Sequence, residues 1–219
     1  MALGGHRRED ANAILIFSLG PQAVLPPRWM SRDFFHCDAF VVGEDLELPI
    51  EVTLPNPREV GADRVVNAVA ALKLYAPPLV IVDFGTATTF DVVDGQGRYC
   101  GGAIAPGINL SLEALSRAAA KLPRIAVAQP DRVIGRSTIE AMQSGIYWGY
   151  VGLIDGLVTR IEQEYGTPMT VVGTGGLAKL FAKGSERLGR IHPELTMLGL
   201  VEIYQSNEAR VRRKRRSGS

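Results

Sequence analysis

An apolar run from Leu79 to Phe84 carries an aspartate, Asp83, near its end and turns through Gly85-Thr86-Ala87-Thr88-Thr89 into a second apolar run. Such a corner suits a phosphate. Gly85 lets the backbone approach a polyanion closely, successive N–H groups form a nest, and the hydroxyls of Thr86, Thr88 and Thr89 donate to phosphate oxygens. Asp83, at the carboxyl end of a buried strand, is placed to hold a cation directly or through water. Threonine is also a good strand residue and Asp-x-Gly is often only a turn, so the corner alone supports both readings.

A second cluster, Gly61-Ala62-Asp63-Arg64, stands at the mouth of a predicted helix after a proline-broken loop. A helix N-terminus attracts anions, and Arg64 adds a charged fork for carboxylate or phosphate. Asp63 reads either as an acid of the first turn or as a general base taking a proton from a substrate hydroxyl. A third cluster, Gly101 to Pro123, gives a strand, a Pro106-Gly107 break and an amphipathic helix. In a fourth, a strand ends in Gly173-Thr174-Gly175-Gly176 before a helix. Those glycines admit a purine or phosphate against the backbone, or simply a tight strand-to-helix junction.

The elements that must position these clusters follow from periodicity. Strands are predicted at 13–18, 39–42, 79–84, 88–93, 99–104 and 169–172, and helices at 62–74, 108–120, 138–164 and 195–205. Alternation of the two argues an α/β fold. Asp94-Gly95 marks a hairpin, so at least two of the strands between Leu79 and Ile104 are antiparallel neighbours.

Composition bounds the rest. The chain has 219 residues, 46% of them apolar, enough for a substantial core. Its net charge of +1 is uneven: residues 210–219 hold six cations and no acid, leaving 18 basic against 23 acidic residues before them. This tail reads as solvated and disordered, with nucleic-acid contact the less favoured reading. Two cysteines, Cys37 and Cys100, form neither a disulfide framework nor a metal spacing, which points to a reducing cytoplasm. The apolar stretch 146–158 contains Asp155 and falls short of the ~20 residues that span a bilayer, so no membrane role is expected.

Taken in order, "GADRVVNAVAA", "DFGTATTFDVV", "GGAIAPGINLSLEALSRAAAKLP", "AMQSGIYWGY" and "GTGGLA" resemble the type III pantothenate kinases of the actin-like phosphotransferase superfamily. The resemblance runs from about Ala13 to Tyr204. It implies an actin-like (ribonuclease H-like) kinase fold of two similar domains, with a first-domain remnant at 1–75, a second domain at 76–206 and the basic tail at 207–219. It also implies transfer of the ATP γ-phosphoryl group to pantothenate, the first step of coenzyme A synthesis. Asp63 becomes the proton acceptor, with Gly61, Ala62, Asp63, Arg64 and Thr138 along pantothenate. Gly85, Thr86, Gly175 and Gly176 face ATP. Asp83 holds a monovalent cation, potassium or ammonium, while magnesium accompanies ATP.

The sequence departs from that family in one respect. Members open with a strand carrying Asp-x-Gly-Asn-Thr, whose loop grips the nucleotide phosphates; this text is absent here, and Leu54 stands where many members have tyrosine. The first strands are therefore expected to be missing, by truncation or a misplaced start, and ATP binding by residues 1–219 to be too weak for useful catalysis. The alternative class is a non-catalytic relative that keeps the scaffold for binding or regulation. Finally, Gly145, Gly149, Gly152 and Gly156 recur on one helical face. They pack either against the same chain or against a two-fold partner helix ringed by Tyr147, Trp148 and Tyr150; the resemblance implies the second, a homodimer.

Overall fold

The computed structural model describes residues 10–17, 25–118 and 122–217. Two sheets organise them. The smaller pairs β1 (Ala13–Ile16) in parallel with β2 (Asp38–Val41), and α1 (Leu25–Asp33) lies between them in the chain. The larger has five strands in the order β5-β4-β3-β6-β7: β3 (Leu79–Phe84), β4 (Ala87–Val93), β5 (Tyr99–Pro106), β6 (Thr170–Gly175) and β7 (Arg190–Ile191). β3 is antiparallel to β4 and parallel to β6, and β4 is antiparallel to β5, so β4 alone runs against the others.

Between the sheets lies α2 (Ala62–Leu74), beside α6 (Leu195–Ser206). α2 is buried without interruption from Val65 to Ala71 because it has two apolar neighbours. Ala68, Ala70 and Ala71 pack with Leu79, Ile81, Val93 and Tyr99, while Val66 and Val69 pack with Phe40, Val42 and Ile203. The close approach of the two helices needs a glycine. A Cβ on Gly199 of α6 would stand 2.1 Å from the carbonyl oxygen of Val66.

The opposite face of the large sheet is covered by α4 (Thr138–Tyr165), with α3 (Ile108–Ala118) and α5 (Ala178–Phe181) beside it. Tyr147, Tyr150, Ile154 and Val158 of α4 share one core with Val80, Val82, Phe84 and Phe90. Tyr147 and Tyr150 thus serve this chain's own core rather than ringing a partner helix. The glycine face points elsewhere. A Cβ added to Gly145, Gly149 or Gly152 would meet nothing within 4 Å, so packing against the described residues of the same chain does not explain these three glycines.

Two predicted elements change extent. β6 continues through Gly173 and Gly175, which pair with Val82 and Phe84. Gly173 is a close-packing residue inside the strand: a Cβ there would come within 2.9 Å of Leu188 and Ile191. The tail at 207–219, expected to be disordered, carries a helix, α7 (Glu208–Ser217). Its start is tied down by Asn207, whose Oδ1 accepts from the Glu47 N–H (2.9 Å) while its Nδ2 donates to the carbonyls of Glu47 (2.9 Å) and Ile203 (2.8 Å). Val211, 2% exposed, inserts into the core of β2 and α6. A single valine within a run of cations anchors the helix.

The β4–β5 connection is the expected hairpin. Asp94 Oδ1 accepts from the backbone N–H groups of Gln96 (3.0 Å) and Arg98 (2.9 Å), and Oδ2 accepts from Arg98 Nε (2.8 Å). Burial pushes the Asp94 pKa up, but the Arg98 and Gln96 hydrogen bonds outweigh it and the net shift is down. Asp94→Ala should cost about 1 kcal/mol at neutral pH. Because the folded pKa is the lower one, this stabilisation is present above the unfolded value of about 3.9 and disappears as pH falls through the folded value. Urea unfolding of both proteins at pH 7 and at pH 3, below the unfolded value, checks it: the gap narrows at the lower pH.

Candidate active site

The first turn of α2 opens at the carboxyl end of β3. Gly61 is the N-cap and makes no side-chain cap, so the Asp63 carboxylate turns back over it; a Cβ on Gly61 would stand 2.5 Å from Asp63 Oδ1. Among the described residues nothing hydrogen-bonds to that carboxylate. One turn further along, Asn67, fully buried, donates through Nδ2 to Asp83 Oδ2 (2.9 Å) and accepts from Thr196 Oγ1 of α6 (2.7 Å). Asp83 is thereby fixed from α2 through one oxygen. Its Oδ1 lies toward Gly175, where a Cβ would stand 2.8 Å from it and 2.7 Å from the carbonyl oxygen of Phe84. Gly175 has φ +87°, and only glycine combines that backbone with that space.

Burial raises the Asp83 pKa; the Asn67 hydrogen bond opposes this, and the negative charges of Asp63 and Asp91 add to it. Asp63 is thus near enough for its charge to act on Asp83. Asp91, two residues beyond the Thr89 that pairs with Asp83, lies on the same sheet face and is completely buried. It accepts from Arg64 Nε (2.6 Å), Tyr99 OH (2.7 Å) and Thr89 Oγ1 (2.9 Å). Burial again raises its pKa against the pull of Arg64, Tyr99 and Thr89, and the Tyr99 hydroxyl is pushed up by burial and by the charge of Asp91.

Of the residues singled out in the sequence, Gly61, Ala62, Asp63, Arg64, Asp83, Gly85 and Gly175 gather here. Gly85 and Thr86 lie on the β3–β4 corner, both exposed, and Gly176 is exposed with open space where a Cβ would be. The other two threonines of the corner do not serve as phosphate donors. Thr88 pairs with Phe84, faces the α4 side of the sheet and is fully buried, while the Thr89 hydroxyl is committed to Asp91. Strand alternation sends neighbouring hydroxyls to opposite faces. Thr138 begins α4, on the opposite sheet face from α2, and is exposed behind the Ser137 cap. Sequence reasoning missed Asn67, Asp91, Tyr99 and Thr196. A lone asparagine inside an alanine- and valine-rich helix was the available signal.

A central strand bearing an acid at its carboxyl end, β4 alone reversed and helices on both faces define a ribonuclease H-like unit of the actin-like fold. A crystal structure described as a Baf family transcriptional activator from Campylobacter jejuni shares the fold, with a TM-score of 0.63 at 18% identity over 91% of this chain and 85% of that one. The family model for type III pantothenate kinase matches residues 1–160. The type III pantothenate kinase of Paramagnetospirillum magneticum is 54% identical over 213 residues, 97% of this chain and 82% of the relative. Those of Rhodospirillum rubrum and Caulobacter vibrioides are 54% and 50% identical, covering 95% and 90% of this chain and 81% and 76% of theirs. The chain belongs to the type III pantothenate kinase family, a family of phosphotransferases.

Proposed function

We propose that the chain transfers the γ-phosphoryl group of ATP to the primary hydroxyl of pantothenate, giving 4'-phosphopantothenate at the entrance to coenzyme A synthesis in the cytoplasm. One observation carries this reading: Asp63 of α2 and Asp83 of β3 converge within reach of each other's charge, one with an unengaged carboxylate and the other fixed through Asn67. Phosphoryl transfer asks the protein chiefly for placement and charge. Asp63 accepts the hydroxyl proton as the oxygen attacks. The Gly85 N–H closes the corner on the Ala87 carbonyl (3.1 Å), so the exposed Gly85 and Thr86 of that corner, with the close-packed Gly175 and the open Gly176, receive the nucleotide through the Thr86 hydroxyl and the room the glycines leave.

The family's monovalent cation fits the residues present. Asp83 Oδ1 and the carbonyl oxygen of Phe84 both border Gly175, an all-oxygen donor set suited to potassium or ammonium. Among the described residues no three His, Cys, Asp or Glu side chains cluster as a metal cage, and magnesium is proposed to arrive on ATP. When bound, the monovalent cation offsets phosphate charge beside Asp83. ADP release that requires pantothenate tests the function; ADP release indifferent to pantothenate contradicts it.

The assembly proposed is a homodimer through the open glycine face of α4, with Thr138 at the start of that helix serving pantothenate across the interface. Glycine in a helix interior costs about 1 kcal/mol relative to alanine, and Gly145, Gly149 and Gly152 have no counterpart among the described residues to offset it. Gly149→Leu and Gly152→Leu should therefore give a monomer by light scattering while the far-ultraviolet circular dichroism stays unchanged. A monomeric wild type, or variants that remain dimeric, would contradict this assembly.

No described helix is long and apolar enough to cross a membrane.

A further inference from the structure

Arg64 is bound on one side only. Its Nε reaches Asp91 Oδ1 at 2.6 Å, and its side chain is 16% exposed. Neither Nη group makes a hydrogen bond among the described residues, and neither is sealed from solvent as an orphaned buried donor would be. A largely buried guanidinium with one edge saturated and the other open is arranged for an anion arriving from outside.

Asp91 cannot be that anion's partner, nor does it face a ligand. Its two oxygens are taken by Arg64, Tyr99 and Thr89, and the residue is 0% exposed. A buried ion pair is weak support for stability, because an apolar replacement of similar size usually does as well. What this pair does is fix the plane of the guanidinium. The Tyr99 ring centroid lies 5.9 Å from Arg64 Cζ, a cation–π contact, while Tyr99 OH anchors the same carboxylate. Gly102 of β5 keeps the lane clear: a Cβ there would stand 1.8 Å from the Phe90 carbonyl oxygen and 3.2 Å from Arg64 Nη2.

We propose that Asp91 is a positioning residue for substrate recognition: supported by Tyr99 and Thr89, it holds Arg64 so that the Nη edge receives the carboxylate of pantothenate. This rests on pantothenate being the substrate. It assigns discrimination for the acid end of that molecule to a buried triad that touches no ligand.

The test compares pantothenate with pantothenol, in which a hydroxymethyl group replaces the carboxylate, by calorimetric titration of the 219-residue chain. Wild type should prefer pantothenate. Asp91→Asn should reduce that preference about tenfold or more, by weakening pantothenate binding while leaving pantothenol within about twofold, since the interaction removed is a charge-assisted one. Tyr99→Phe and Thr89→Val should each reduce it about threefold, and they decide the matter should Asp91→Asn fail to fold. A purely structural role would weaken both ligands together, and either that result or an unchanged preference in the variants that fold would overturn the proposal. A wild type with no affinity for pantothenate would contradict the proposed substrate; affinity with unaltered variants would contradict only the role of Asp91.

Discussion

Replacing Asp63 with asparagine should lower kcat for phosphoryl transfer by about 10²–10⁴-fold, the range a positioned general base contributes, with the affinity for pantothenate changed by less than about threefold. The Asp63 carboxylate is unengaged among the described residues and sits in the first turn of α2. Asparagine matches its shape and keeps an oxygen for hydrogen bonding, so it removes little but the proton acceptor. The fold should barely notice. An acid in a first turn gains about 0.3–1 kcal/mol from the helix dipole, far less than the effect expected on turnover. A variant with normal kcat would return Asp63 to the role of an ordinary first-turn acid.

The second large effect concerns Asp83. Activity should require potassium or ammonium and be low in sodium alone. Asp83→Asn should reduce it about 10–100-fold and abolish most of that dependence, as expected when a charge-assisted interaction beside phosphate is removed. The Asn67 hydrogen bond holds one Asp83 oxygen in place and leaves the other toward Gly175, so the amide keeps the geometry and removes the charge. The sign of the pH dependence follows from burial, which raises the Asp83 pKa. A protonated Asp83 binds no cation, so the potassium concentration giving half-maximal rate should rise as pH is lowered, beginning above the ordinary carboxylate range near about 3.9. Equal activity in sodium and potassium would reduce Asp83 to a strand-end acid.

The parts of this architecture written in local sequence were legible. α2 spans 62–74 as predicted, because a proline-broken loop precedes it and two prolines follow, and β3 spans 79–84 because it is an unbroken apolar, β-branched-rich run closed by a glycine corner. The polar support of the site was not. Thr196 reaches Asn67 across 129 residues and Arg64 reaches Asp91 across 27, and no periodicity reports a hydrogen bond formed only when two layers meet. Gly173 and Gly175 read as a junction beyond the strand's end, but they lie within β6, where Leu188 and Ile191 on one side and Phe84 on the other come too close for a side chain. α7 escaped for a different reason: charge density argues against order, and one buried valine with an asparagine lock outweighs it.

The most direct test of the central claim is the identity of the phosphorylated product. With γ-labelled ATP at millimolar concentration, magnesium, potassium and pantothenate, label should pass to 4'-phosphopantothenate, its phosphorus coupled by NMR to the primary methylene protons, with one ADP formed per product. Label found only in inorganic phosphate, or on any position other than that primary hydroxyl, would contradict the account.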